Sequence, residues 1–109
     1  MVKMGVIKDM EKKEIIELLN KNKNELKKFG VKRIGIFGSF ARDEGREDSD
    51  IDVFVEFEKG KATFRNFAGL IDYLENLFGR PVDILTPAGI ESIRIDEIKE
   101  EIKRGVIYA

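Results

Sequence analysis

The chain has 109 residues, and its 20 Lys and Arg nearly cancel 21 Asp and Glu to leave a formal charge of −1. A length of that order is one domain with a modest core, without room for a second, substrate-handling domain. The charge balance makes direct nucleic-acid binding a poor expectation, a local basic patch aside. Cysteine and histidine are both absent, so disulfides and thiolate zinc sites do not apply. A metal would have to be held by oxygen atoms, which favours magnesium or manganese over zinc. No stretch approaches the roughly 20 apolar residues that span a bilayer. The N-terminus lacks the apolar centre of a signal peptide, so a cytoplasmic location with no membrane contact is the expectation.

In chain order, residues from about 10 to 28 place Ile15, Leu18, Leu19, Leu26 and Phe29 at helical spacing, which predicts an amphipathic helix stopped at Gly30. Val31 to Phe37 reads as a short apolar strand of central type. Ser39 to Arg42 opens a short helix, and Asp43 to Ser49 is an acidic, glycine-containing loop. Ile51 to Phe57 is a second strand, followed by a turn at Lys59-Gly60-Lys61. Thr63 is placed as the N-cap of a helix reaching Phe78, with Phe64, Phe67, Leu70, Ile71, Leu74 and Phe78 on its buried face. Gly79 and Pro81 end that helix. Val82 to Leu85 is a third strand, Pro87 and Gly89 mark a loop, and a last helix from about 90 to 104 carries Ile95, Ile98 and Ile102. This order predicts a single small α/β domain over residues 1–109, with helices flanking a mixed sheet of three or slightly more strands. Its chemical centre falls in residues 31–85.

The chemistry concentrates in Ile34-Gly35-Ile36-Phe37-Gly38-Ser39-Phe40-Ala41-Arg42 and Ser49-Asp50-Ile51-Asp52-Val53. Side chains alternate along a strand, so Asp50 and Asp52 project from one face while Ile51, Val53, Val55 and Phe57 take the other. Two adjacent carboxylates repel unless a cation lies between them or one stays protonated. Gly38 and Ser39 sit where a strand hands over to a helix: glycine allows close backbone approach to a phosphate, and Ser39 adds a hydroxyl donor. Arg42, three residues on, can face the same side as Ser39. It either contacts phosphate or acceptor, or pairs at the surface with Asp43, Glu44 or Glu47. Ser49 either caps the turn or touches the triphosphate. Together these residues read as a metal–nucleotide site. Asp72, Glu75, Asp96, Glu97, Glu100 and Glu101 are interspersed with Lys and Arg on helices and read as solvated faces. The phenylalanines at 64, 67 and 78 follow the core stripe rather than a base-stacking platform.

These residues resemble the minimal nucleotidyltransferases of the DNA polymerase β-like superfamily. That family pattern is an apolar strand ending in Gly-Ser, an Ala-Arg pair, a spacer, Ser-Asp-x-Asp, and a third acid on a later strand. Here Gly38-Ser39, Ala41-Arg42, Ser49-Asp50-Ile51-Asp52 and Val82-Asp83-Ile84 take those places. One departure is Asp43, where the family usually has Gly directly after the Arg; glycine comes only at Gly45. The resemblance implies that Asp50, Asp52 and Asp83 are catalytic and hold Mg2+, two ions with Mn2+ as substitute. It also implies that Gly38, Ser39, Arg42 and Ser49 bind the phosphates of ATP or another NTP. Two such ions about 3.5–4 Å apart stabilise attacking and leaving oxygens together. The third acid, Asp83, would serve the acceptor-side metal and help take the acceptor's proton.

Three functions follow as expectations. The first is transfer of AMP or another NMP to a protein hydroxyl; the resemblance implies a helical HEPN-type toxin as partner, modified on tyrosine, and an antitoxin role. The second is a non-catalytic module that inhibits a partner by occlusion, which would not need an acidic triad. The third is the catalytic subunit of a small-molecule, antibiotic-type nucleotidyltransferase.

Overall fold

In the computed structural model, residues 11–46 and 49–109 are described. Position 10 of the expected first helix, and Glu47 and Asp48 of the acidic loop, lie outside them. The expected first helix is two: α1 (Lys12–Lys21) and α2 (Lys23–Lys27). Reciprocal bonding between Glu11 and Glu14 opens α1, a capping box that satisfies donors the first turn leaves over. The break falls at Asn22, whose amide donates to the Leu18 carbonyl at 2.8 Å and accepts from the Tyr73 hydroxyl at 2.7 Å. An asparagine bonding its own backbone competes with the helix there, and it ties the corner to a distant helix.

The strands are β1 (Val31–Phe37), β2 (Ile51–Phe57), β3 (Val82–Leu85) and β4 (Ile107–Tyr108), in the order β3-β2-β1-β4. β1 runs antiparallel to β2 and β4, and β2 runs parallel to β3, so the sheet is mixed as expected. β4 was not anticipated, being two residues long. It approaches β1 at Gly35, where a Cβ would strike the Ile107 carbonyl. One sheet face buries Ile34, Ile36, Ile51, Val53 and Val55 against Ile15, Leu19 and Leu26 of α1 and α2 and Leu70 and Leu74 of α4 (Phe64–Phe78). A four-residue helix, α3 (Gly38–Ala41), follows β1.

Thr63 caps α4 as expected, accepting from the Asn66 amide at 3.1 Å, and Gly79 ends it at φ +70°. Phe64 corrects the expected buried face: it is 88% exposed. It stands in the first turn, and only a turn later does Phe67 reach Phe57, with ring centroids 6.2 Å apart. The last expected helix also divides. Pro87 and Gly89, read as a loop, belong to α5 (Pro87–Glu91), where proline occupies the first turn and Thr86 accepts from the Gly89 amide at 3.2 Å. Proline is tolerated there because its missing N–H would have had no helical partner. α6 (Asp96–Gly105) has the expected apolar spacing but no buried residue, with Ile95 57% and Ile98 46% exposed. Lys99 and Lys103 reach Glu91 at 3.5 and 3.1 Å and pin α6 to α5.

Candidate active site

Asp52 is the second residue of β2, on the face opposite the main core, in register with Phe37 on one side and with Asp83 on the parallel neighbour β3. Register partners on adjacent strands point to the same face, so Asp52 and Asp83 lie side by side at one end of the sheet. Asp50 comes just before β2 and is exposed, as is Asp83, whereas Asp52 is half-buried. Burial pushes the Asp52 carboxyl above its ordinary value; the charges of Asp83 and then Asp50 push the same way, and Arg42 opposes them. The three acids are therefore electrostatic neighbours. Among the described residues, however, no three acidic groups converge into a closed ligand cluster.

The turn between β1 and α3 packs directly against this carboxylate. Gly38 has φ +71°, and a Cβ there would run into the Asp52 carboxylate oxygen. Both the backbone twist and the close approach require glycine. Ser39, half-buried, follows Gly38 as the second residue of α3. Arg42 follows as the C-cap of α3, exposed, with Nε donating to Glu44 at 3.0 Å. The surface pairing weighed for Arg42 is thus present, while its influence on Asp52 shows that the same guanidinium lies within electrostatic reach of the acids. Gly38 and Arg42, with Phe37, also form one wall of a pocket of about 360 Å³, closed opposite by Glu101, Ile102 and Arg104 of α6.

Asp43 accounts for the departure from the family pattern. It has φ +60°, the left-handed conformation that glycine adopts freely and that aspartate tolerates better than most residues. Lys12 of α1 holds its carboxylate at 3.2 Å. The loop thus keeps the backbone shape a glycine would give. Gly45 then packs on the Phe40 ring so tightly that a Cβ would collide with it.

Ser49 closes the turn into Asp50: its hydroxyl accepts from the Arg46 amide at 3.1 Å, and its own amide donates to the Arg46 carbonyl at 3.0 Å. Of its two readings, turn capping is realised here. Two residues were overlooked in the sequence. Arg80, between α4 and β3, donates Nη1 to the carbonyls of Arg46 at 2.8 Å and Ser49 at 3.4 Å, and stacks 5.1 Å from the Phe40 centroid. Glu75, read as a solvated acid, accepts from the Val82 amide at 3.0 Å and fixes the start of the strand that carries Asp83. The only signal for either was position, within seven residues of that strand.

The profile of the nucleotidyltransferase domain family matches residues 9–108. The chain belongs to this family. Among curated relatives, the "Putative protein adenylyltransferase MJ1379" of Methanocaldococcus jannaschii is 43% identical over 87% of this chain and 94% of its own length. Protein adenylyltransferase MntA of Thermococcus cleftensis is 40% identical over 87% of this chain and 92% of its own. A solved structure described as a "putative minimal nucleotidyltransferase" superposes with a TM-score of 0.71 at 33% identity, covering 90% of this chain and 95% of that one. A crystallised toxin–antitoxin with AMP-PNP shares the fold alone, with a TM-score of 0.58 at 19% identity over 91% of this chain and 72% of that one. The small mixed α/β sheet of this nucleotidyltransferase is thus the fold of the minimal members. No helix among its described residues is long and apolar enough to cross a membrane.

Proposed function

We propose that this nucleotidyltransferase is a protein adenylyltransferase: it moves AMP from ATP to a hydroxyl of a partner protein and releases pyrophosphate. The observation that carries the reading is Asp52 itself, packed on the Gly38 turn and flanked by Asp83 and Asp50. A carboxylate held above its ordinary pKa by burial and then by two other carboxylates is a place where added positive charge is favourable. The donor set is all oxygen, so Asp50, Asp52 and Asp83 fit Mg2+ or Mn2+. Bound there, such ions would screen the phosphates and polarise the attacking and leaving oxygens.

The remaining steps belong to the chain's own groups. Gly38 lets the triphosphate approach the backbone, the Ser39 hydroxyl donates to it, and Arg42 can exchange Glu44 for a phosphate oxygen. Ser49 keeps the turn closed and retains a hydroxyl proton to donate. In the transfer the acceptor oxygen attacks the α-phosphorus and the bond to the bridging oxygen of pyrophosphate breaks. Asp83, exposed beside Asp52, takes the proton from the acceptor. Catalysis of this kind is positioning and electrostatic stabilisation of charge developing on oxygens.

A protein acceptor is favoured because relatives named protein adenylyltransferases match at 40–43% identity over nearly their whole length. We place the partner's contact on α6, where Ile95 and Ile98 remain exposed. By the family resemblance that partner is a helical HEPN-type toxin modified on tyrosine, which makes this chain an antitoxin. Incubation with α-labelled ATP, Mg2+ and the co-purified partner tests the reading. Label should appear on a partner tyrosine. It should vanish with the paired substitutions Asp50→Asn and Asp52→Asn while gel filtration still shows the complex. Label found only on small alcohols would overturn protein acceptance, and undiminished transfer by the double variant would overturn the site.

A further inference from the structure

We propose that Arg80 is a positioning residue of the transfer site, whose guanidinium orients the Ser49–Asp50 peptide and so delivers Asp50 beside Asp52. This deepens the proposed function and rests on Asp50 and Asp52 as metal ligands. Asp50 is less firmly anchored than Asp52. Asp52 is held inside the sheet ladder, but β2 begins only at Ile51, whose amide donates to the Pro81 carbonyl at 3.0 Å. Asp50 lies before that bond and is exposed, so the preceding peptide decides where its carboxylate points. The Ser49 carbonyl belongs to that peptide, and Arg80 donates to it.

The same Nη1 donates at 2.8 Å to the Arg46 carbonyl, which also accepts the Ser49 amide. One guanidinium nitrogen thus ties both flanks of the turn. Phe40 fixes that guanidinium from below, itself 2% exposed and pressed by Gly45. The Gly38–Arg42 segment and the Ser49–Asp50 turn are therefore registered on one ring and one cation. Arginine suits this where lysine does not, because its planar group stacks on the Phe40 face and so holds the one terminal nitrogen that reaches both acceptors. Its Nε is buried and finds no partner among the described residues.

The test compares Arg80→Ala and Arg80→Lys with Asp52→Asn, each checked for fold by circular dichroism and melting. Loss of the second tier of support behind a ligand costs about 10–100-fold in metal affinity or activity. Arg80→Ala should therefore bind Mn2+ roughly tenfold more weakly by calorimetry and lose kcat by a factor within that range, with the KM for ATP nearly unchanged. Millimolar methylguanidinium should restore part of both losses, and should restore nothing to Asp52→Asn. Should Arg80→Ala fail to fold, Arg80→Lys carries the test: it keeps the charge and should still lose Mn2+ affinity and kcat. Wild-type Mn2+ affinity and kcat in a folded Arg80 variant would overturn the proposal, as would a loss confined to KM. If Asp52→Asn itself transfers at the wild-type rate, the underlying site assignment fails instead.

Discussion

Gly38→Ala separates backbone strain from damage to the site. Four glycines have similar positive φ: Gly30 at +80°, Gly38 at +71°, Gly60 at +81° and Gly79 at +70°. Around Gly60 and Gly79 an added Cβ meets nothing within 4 Å, whereas at Gly38 it meets the Asp52 carboxylate. The left-handed conformation costs an L-residue roughly 1–2 kcal/mol. Restricting the unfolded chain returns about 0.4–1 kcal/mol. Gly60→Ala and Gly79→Ala should therefore each lose about 1 kcal/mol, or roughly 4–8 °C of melting temperature in a domain of this size. Gly38→Ala carries the same backbone cost and must also move Asp52 aside. A misplacement of about 1 Å in a catalytic constellation can cost on the order of 10²-fold in rate. We expect Gly79→Ala to transfer AMP normally below its melting transition and Gly38→Ala to be reduced by about that factor. Melting curves and initial rates, measured at a temperature where all three variants are folded, decide it. Equal rates for Gly38→Ala and Gly79→Ala would refute the coupling between this turn and the acid.

Asp83→Asn should cripple transfer while largely sparing binding of the metal–triphosphate complex, since its proposed work is on the acceptor proton; equal losses in nucleotide affinity and turnover would place it in ground-state binding. Glu91 supplies a pH test away from the site. The Lys103 hydrogen bond and charge, then the Lys99 charge, hold its carboxyl below its ordinary value of 4.5. A lowered folded pKa means stability present above the unfolded value and lost as pH falls through the folded one. Because Glu91 is exposed the effect is small and screened by salt. A Glu91–Lys103 double-mutant cycle should show coupling at pH 7 in low salt that declines as pH falls below the ordinary carboxylate value; coupling unchanged once Glu91 is fully protonated would refute the ion-pair account.

The strands and α4 were legible because local signals agreed with tertiary demands. Alternation in Ile51–Phe57 matched a sheet with a core on one face, and Thr63 and Gly79 bracketed α4 with cap chemistry. Where local pattern and context parted, the sequence misled. Periodicity does not stop at Asn22, but an asparagine that bonds Leu18 and Tyr73 does. The α6 stripe of Ile95, Ile98 and Ile102 has the spacing of a buried face, yet periodicity says which residues share a side and not whether anything covers it. Two-residue β4 lies below the length at which alternation is measurable.

In the candidate site, the acids stood out as a group through the whole pattern, a strand ending in Gly38-Ser39, then Ser49-Asp50-Ile51-Asp52 and a later Asp83, rather than through the spacing of Asp50 and Asp52 alone. The supporting residues did not, because their work is done through backbone atoms. Arg80 and Glu75 recognise carbonyls and an amide rather than side chains, and such partners leave no mark in residue identity. Asp43 shows the converse. By identity it breaks the family pattern, yet at φ +60°, held by Lys12, it preserves the conformation that the usual glycine provides. The loop specifies a backbone shape, and residue type is one of several ways to reach it. Asp43→Gly should therefore leave the turn intact and relieve left-handed strain while releasing Lys12. Because the exposed ion pair contributes little, the variant should melt at or slightly above the wild-type temperature with transfer unchanged. A clear loss of transfer on that substitution would instead give the Asp43 carboxylate a part in the reaction.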